Sequence, residues 1–454
     1  MIFMADYNND IFIAKKIAEK VSEYNGSTYY VGGFVRDELL NKSNKDIDIE
    51  IHGITPSAAE EILDSVGTRI AIGESFGIYN LAGYTIDIAM PRKETAIGTG
   101  HKDFDIFVDP FIGTYNAAKR RDFTINALMK NVLTDEIIDH FGGKKDLKDG
   151  IIRHIDNTTF IEDPLRVLRA AQFAARFGFY IADETTELCQ GIPLDNLSKE
   201  RIESELCKAL LKAEKPSIFF EALRKMNKLD EWFPELKALS DIRQNPRYHK
   251  EGDVWTHTMM VIDAAAKYRD KVEYPEGFMV SAIVHDFGKA VCTEEVNSVI
   301  HSYNHEKEGV AVAKQFLNRI TSSKRLKKYV LNMVEMHMAP NVIANNQSSV
   351  KASNRMFDKS VNPQDLIYLA AADDEGRISE STASTNTEFL LSRYEIFKEI
   401  MNRPYVTGSD LIEAGLKPDN NFTQILQYAH KLRLAGIEKK SALKQTISYA
   451  KKLK

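Results

Sequence analysis

The stretch STYYVGGFVRDELLNKSNKDIDIE, which ends at Glu50, constrains this chain more than any other. A β-prone run reaches the Gly32-Gly33 turn, a helix opens near Val35, and a second strand carries Asp46 and Asp48. Side chains on a strand alternate faces, so Asp46 and Asp48 point to one side while Ile47 and Ile49 point to the other. Two like charges held that close are costly unless a cation sits between them, which makes a divalent-metal site the economical expectation. The glycines, having no Cβ, let backbone N–H groups come up against a phosphate. Alone, each fragment is ordinary: Asp-x-Asp decorates solvated edges and Gly-Gly makes plain turns. Their close succession on apolar strands is not.

That succession resembles the nucleotidyltransferase superfamily that includes DNA polymerase β. GGFVRD followed by DIDIE is similar to the branch of bacterial tRNA nucleotidyltransferases (CCA-adding enzymes) and poly(A) polymerases. The resemblance implies that Asp46 and Asp48 are catalytic and hold Mg²⁺, and that Gly32, Gly33 and Arg36 meet the nucleotide. It also implies a third carboxylate on a neighbouring strand. YNLAGYTIDIAMPRKE reads as one such strand, and Asp87, between Ile86 and Ile88, is the candidate, although a strand Asp also serves as a plain polar-face residue.

RRDFTINAL, from Arg120 to Leu128, reads as two arginines and an aspartate ahead of an apolar helix. Arg suits a bidentate grip on phosphate oxygens, and a carboxylate accepts from ribose hydroxyls. The string is similar to the family motif for ribose and triphosphate contacts, which assigns those roles to Arg121 and Asp122; by composition alone Asp122 equally suits a helix cap. Residues 92–105, rich in Gly, Thr and charge, have no helical or strand period and read as a mobile loop. Beside an active site such a loop closes over substrate; elsewhere it is a surface connection. DHFGGKKDLKDG, 139–150, reads as a charged connector and resembles the family hinge between head and neck.

FIEDPLRVLRAAQFAARFG starts a helix at Asp163-Pro164, with proline at the first helical position and Gly178 to end it. Leu165, Leu168, Ala171 and Ala175 form its apolar stripe, and Asp163 and Arg166 project from one end. Cytosine and adenine both present an exocyclic amine beside a ring acceptor, so an Asp that accepts and an Arg that donates fit both. Guanine and uracil offer a carbonyl instead, and each unpaired polar group costs about 1–3 kcal/mol. The resemblance implies this base-reading role for Glu162, Asp163 and Arg166, while Asp before Pro is also an ordinary N-cap. Arg169 and Arg176 continue the basic face, available to phosphate or RNA or simply solvated. LSKERIESELCKALL, 197–211, is an amphipathic helix after a Ser198 cap, with Arg201 and Glu205 available for pairing.

A second chemistry is written further on. His257, His285-Asp286, His305, His337 and Asp373 recur in apolar helical contexts, and imidazole with carboxylate suits divalent transition metals. Their order, and VHDFGK in particular, resemble the HD-domain phosphohydrolases. The resemblance implies a first metal on His257, His285, Asp286 and Asp373, with His305 and His337 as the extra ligands of two-metal members. One or two ions such as Ni²⁺, Mn²⁺ or Fe²⁺ are expected. Two polar stretches, 341–360 and 376–388, read as loops. VTGSDLIEAGLKPDNNFTQIL then resembles the C-terminal module of tRNA nucleotidyltransferases that contain an HD domain.

The remaining features set bounds. A chain of 454 residues, 43% apolar, can bury more than one core. A net charge of -5 gives no global pull toward nucleic acid. Residues 431–454, however, carry eight Lys or Arg against Glu438, a basic patch for RNA or a solvated lysine-rich helix. Cys189, Cys207 and Cys292 lack metal-like spacing and fit reduced thiols. The opening MIFMADYNND has no basic n-region or cleavage-like site, and no long apolar span is evident, so a cytoplasmic protein with no membrane contact is expected.

The expected fold class is α+β. A polymerase-β-like head of mixed sheet and helices (1–145) is followed by a helical neck that recognises the base (146–235), an all-α HD domain (236–395) and a helical C-terminal tRNA-binding module (396–454). The implied function is untemplated addition of CMP, CMP and AMP to tRNA 3′ ends from CTP and ATP, with an attached metal-dependent phosphohydrolase and no obligate protein partner. A poly(A), A-adding or CC-adding enzyme would use the same head. A phosphohydrolase whose head only binds RNA is the alternative of another class.

Overall fold

The computed structural model describes residues 7–44, 46–70, 77–96, 104–247, 249–378 and 383–453. The chain divides into two compact units, one formed by Met1–Glu205 with Ile218–Lys228 and the other by Leu206–Ser217 with Leu229–Lys454. An N-terminal sheet with helices and a predominantly helical remainder make the expected α+β class correct.

Among the described residues of the first unit, nine strands lie between the amphipathic helix Tyr7–Glu23 and the helix Gly143–Asp149. They are β1 (Ser27–Val31), β2 (Asp48–His52), β3 (Arg69–Ile70), β4 (Ile78–Leu81), β5 (Asp87–Ala89), β6 (Arg92–Ala96), β7 (Phe104–Val108), β8 (Met129–Asn131) and β9 (Ile137–Ile138). Seven of them form one sheet in the order β3-β4-β5-β2-β1-β8-β9, while β6 and β7 pair separately. β1 runs antiparallel to β2 and β8, and β2 runs parallel to β5. Alternation decides which face is buried: Ile47, Ile49 and Ile51 are at most 1% exposed, which drives Asp48 and Glu50 to the opposite face.

Several local expectations change. β2 begins at Asp48, so Asp46 lies in the approach to the strand and not within it. YNLAGYTIDIAMPRKE is not one strand but contributes to three, β4, β5 and β6. The segment 92–105 is strand at both ends, through the β6–β7 pairing, and 97–103 of the expected mobile loop lie outside the described residues. RRDFTINAL does not open an apolar helix. It makes one 3₁₀ turn, Thr124–Asn126, and runs into β8. The reason is local capture of donors: Asp122 Oδ1 accepts from Phe123 N–H (2.8 Å) and Asn126 Nδ2 (2.9 Å), and Thr124 N–H is taken by Arg153 O (2.9 Å). The charged connector contains the helix Gly143–Asp149.

The helix Leu165–Phe177 runs between Pro164 and Gly178 and buries the predicted stripe. Proline occupies the cap, one position earlier than expected. Short strands β10 (Ile151–Ile152) and β11 (Tyr180–Ile181) pair in parallel beside it.

Among its described residues the second unit is helical with one hairpin, β12 (Glu294–Val296) and β13 (Val299–His301). Helix starts are marked chemically. Asp253 accepts from Thr256 N–H ahead of Val254–Ala266, and Asn362 accepts from Asp365 N–H with Pro363 following, ahead of Pro363–Glu375. Around Trp255, Phe278, Phe287 and Phe316, all at most 1% exposed, these helices build one core. The expected loop 341–360 holds the end of the helix Met338–Asn345 and all of Val350–Lys359, and Ala383–Asn402 begins inside the expected loop 376–388. In Val350–Lys359 a polar composition hides helical spacing: Ser353, Asn354, Met356 and Phe357 are buried, and Asn354 Nδ2 donates to Leu434 O (2.8 Å). The terminal helices close over Leu411, Ile425, Ala429 and Ala442.

Candidate active site and metal centre

In the first unit, Asp48 and Asp87 are direct Cα partners on the parallel strands β2 and β5. Burial first, then the charge of Asp87, raises the Asp48 carboxyl to about 6, and Asp46 adds to the rise while Arg121 opposes it. Asp46 and Asp87 are exposed, and Asp87 Oδ1 accepts from Asn80 Nδ2 (2.7 Å). Gly32 has φ +63, and a Cβ there would meet Arg121 NH1 at 3.1 Å and Asp48 Oδ2 at 3.8 Å. The turn, the carboxylates and Arg121 therefore share one site, and unbalanced negative charge on Asp48 is what a cation would settle.

Glu50, two residues on and on the same face, was not singled out by sequence. It is 6% exposed, accepts from His52 Nε2 (2.8 Å) and pairs with Arg121 NH2 (3.3 Å). Burial acts to raise its carboxyl, but His52 and Arg121 outweigh that and hold it at about 2. Its signal was the unusual acid closing DIDIE.

Other predicted nucleotide residues are engaged by the protein itself. Arg36 is buried, donates to Asp37 Oδ1 (2.8 Å) and Asn126 Oδ1 (2.6 Å), and lies 4.7 Å from the Phe177 ring centroid. Asp122 is buried against Arg169 (Nε to Oδ2, 2.7 Å), so these two predicted residues meet each other. Asp163, one residue before the Pro164 cap, accepts from Leu165 N–H through Oδ1 (3.1 Å), and both its oxygens accept from Arg201 NH2 (3.0 and 2.9 Å). Arg166 donates to Thr159 O (2.6 Å) and Arg120 O (2.7 Å). Arg201 thus pairs with Asp163, and Glu205 lies 4.0 Å from Arg169.

The second unit gathers all six predicted metal residues. Two buried groups, His257–His285–Asp373 and Asp286–His305–His337, each bring their ligand atoms within 4.8 Å of one another. Asp286 faces both: Oδ2 is 3.3 Å from His285 Nε2 and 3.6 Å from His257 Nε2, and Oδ1 is 3.3 Å from His305 Nε2 and 3.7 Å from His337 Nε2. Backbone carbonyls set the tautomers. Nδ1 of His285, His305 and His337 meets the carbonyl three residues earlier, Ala282 (2.9 Å), Ser302 (2.8 Å) and Val334 (2.7 Å). Each Nε2 is thereby left as an acceptor. His305 Nε2 and His337 Nε2 then face each other at 3.2 Å, and His285 Nε2 is buried with no hydrogen-bond partner. Facing lone pairs and a shared carboxylate fit divalent cations better than any proton arrangement.

Sequence reasoning missed the support of His257. Glu251 Oε1 lies 3.1 Å from His257 Nδ1 and accepts from His249 Nδ1 (2.7 Å), while Oε2 accepts from Ile378 N–H (3.2 Å). This fixes His257 with Nε2 toward Asp373 Oδ1 (3.0 Å). The signal was the His-x-Glu pair one turn before VWTH. Lys289 Nζ (2.6 Å from Asp286 Oδ2) and Arg377 NH2 (2.6 Å from Asp373 Oδ2) hold both carboxyls well below the usual range against a burial that pushes them up. Gly288 lets the HDFG turn touch the next helix: a Cβ there would lie 2.0 Å from His305 O. The centre opens into a cleft of about 1050 Å³.

A polymerase-type head joined to an HD metal centre is the class these features define. The Poly A polymerase head domain family matches residues 28–153, the family described as the probable RNA and SrmB-binding site of polymerase A matches 178–239, and the HD domain family matches 254–377. The multifunctional CCA protein of Pasteurella multocida is 34% identical over 404 residues, covering 86% of this chain and 92% of that protein. The chain belongs to the multifunctional CCA protein family. Its fold matches a CCA-adding enzyme solved with ATP (TM-score 0.66, 20% identity, 96% and 93% of the two chains). It also matches the Thermotoga maritima CCA-adding enzyme complexed with tRNA (TM-score 0.63, 20% identity, 98% and 95%). Divalent-metal dependence follows from both domain types and from the buried ligand groups. Among the described residues no helix is long and apolar enough to cross a membrane.

Proposed function

We propose that this chain is a nucleotidyltransferase that adds CMP, CMP and AMP to tRNA 3′ ends from CTP and ATP without a nucleic-acid template, and that its HD centre hydrolyses phosphoesters. With tRNA as substrate the enzyme works in the cytoplasm. The observation that carries the first part is the alignment of Asp48 with Asp87, with Asp46 adding its charge, beside the Gly32 turn and Arg121. Asp46 and Asp48 would hold Mg²⁺, with Asp87 completing the set. When bound there, Mg²⁺ would supply activation of the RNA 3′-hydroxyl and charge neutralisation of the triphosphate. Gly32 and Gly33 admit the phosphates closely, and Arg121, steadied by Glu50, adds a bidentate grip. Asp163 retains acceptor capacity and Arg166 its remaining N–H groups, and these support base reading. Arg36, Asp122 and Arg169 act by fixing the walls around that reading.

In the second unit His257, His285, Asp286 and Asp373 would hold one divalent transition ion and Asp286, His305 and His337 a second. Such ions supply a nucleophile at neutral pH and polarise the phosphoryl oxygens. Lys289 and Arg377 keep the carboxylates ionised and in place.

Incubation with a tRNA transcript lacking CCA, with CTP and ATP singly and together, tests the transferase reading. The expected result is two additions from CTP and a third only when ATP is also present. Extension by ATP alone without limit would make it a poly(A)-type enzyme, and phosphate release without any incorporation would leave only the hydrolase.

A further inference from the structure

The turn after β13 places aromatic surface on the wall of the hydrolytic cleft, and none of the chemistry above uses it. His301 closes β13 and Tyr303 follows two residues later; their rings stack with centroids 4.8 Å apart and planes 12° apart. Tyr303 is 65% exposed. Both rings line the same cleft as Asp286, Asp373 and His305, and Arg243 and Lys289 add positive charge to that lining. The platform is tied to the metal centre through its neighbours. Ser302 O accepts from His305 Nδ1 (2.8 Å), Ser302 Oγ meets Thr293 Oγ1 (2.8 Å), and Asn304 takes a left-handed φ of 59 between the ring and the ligand. A phosphoester bound at the ions therefore has a flat π-face two residues from a ligand, with cations nearby for further phosphate groups.

We propose that Tyr303, backed by His301, is a nucleobase platform of the hydrolytic site, so that this site prefers the phosphorylated end of a nucleotide chain to a small aliphatic phosphoester. The inference rests on the phosphohydrolase reading above. Stacking uses the face that every base has, so it selects the class of substrate without choosing among bases.

The test compares wild type with Tyr303→Ala and Tyr303→Trp, loaded with Mn²⁺ or Ni²⁺, on adenosine 2′,3′-cyclic monophosphate and on glycerol 1,2-cyclic phosphate. A second readout is quenching of 2-aminopurine riboside 3′-monophosphate fluorescence by the metal-free protein. Tyr303→Ala is expected to lower the preference for the nucleotide, as the ratio of kcat/KM values, by about 5- to 100-fold, mainly through KM. Tyr303→Trp is expected to keep the preference, and the quench is expected to fall only in Tyr303→Ala. An unchanged ratio, whatever happens to the absolute rates, overturns the platform. If wild type cleaves neither ester the phosphohydrolase reading fails by itself, and the quench then decides the platform: lost in Tyr303→Ala it stands, unchanged it falls.

Discussion

The two centres of this chain are built on opposite plans. In the first unit the acids sit at a strand start and on neighbouring strands, with Asp46 and Asp87 exposed, and among the described residues they are not one of the groups whose ligand atoms converge within 4.8 Å. In the second, the six predicted metal residues are buried, with backbone carbonyls orienting the imidazoles of His285, His305 and His337 and Glu251 orienting that of His257. A site that must admit a triphosphate and an RNA end leaves its metal coordination to be completed by substrate oxygens. A hydrolytic centre that reuses the same ions for each turnover gains from rigid, preformed ligation.

The sharpest way to break that comparison is to remove one shared acid from each centre. Asp48→Asn is expected to reduce nucleotide addition by about 10³-fold or more and to leave phosphoester hydrolysis within about two-fold. Asp286→Asn, which takes charge from both metal groups, is expected to do the reverse and to lower bound transition metal, measured by elemental analysis. If either variant loses both activities while circular dichroism shows it folded, the two chemistries do not belong to separate centres.

Glu251 sharpens the contrast, because it holds His257 Nδ1 from the side away from Asp373. Glu251→Gln keeps the volume but weakens the hold on His257 Nδ1, so transition-metal affinity and hydrolysis should fall about 10- to 100-fold. Nucleotide addition should not change. A variant with wild-type metal affinity would show that Gly376 O, 3.2 Å from the same nitrogen, is enough to orient the ring.

The sequence made much of this legible, and for physical reasons. Period-2 alternation around Ile47 and Ile49 put Asp48 on the correct face, and the helix Leu165–Phe177 buried the predicted stripe. The six HD residues were named from their order and from VHDFGK, which resemble the HD-domain phosphohydrolases, and the structure brings all six together. What could not be read was long-range partnership. Asp122 meets Arg169 across 47 positions, and Glu50 meets Arg121 across 71, pairs that no local spacing encodes. RRDFTINAL failed as a helix partly because Arg153, 29 positions on from Thr124, takes the Thr124 N–H, alongside the local capture by Asp122. The helix Val350–Lys359 was missed because four buried positions in a polar segment do not raise mean hydropathy.

Base choice carries the smallest expected effect and the most informative one. Arg166 holds Thr159 O and Arg120 O, so it ties the helix Leu165–Phe177 to the residue before Arg121, besides the base contact proposed for it. Arg166→Ala should therefore raise KM for CTP and ATP and cut their discrimination over UTP and GTP by about 10-fold, roughly the worth of one unmatched polar group. Arg166→Lys restores charge but not the planar fork, so it should not recover discrimination. The measurement is misincorporation of each nucleotide on tRNA lacking CCA, beside a thermal melt. A fall in melting temperature with discrimination intact would reduce Arg166 to a backbone clamp and leave Asp163 to its bond from Leu165 N–H and its pairing with Arg201. In that event the open plan of the first unit would extend to the base as well, with the bound RNA supplying what no single side chain provides.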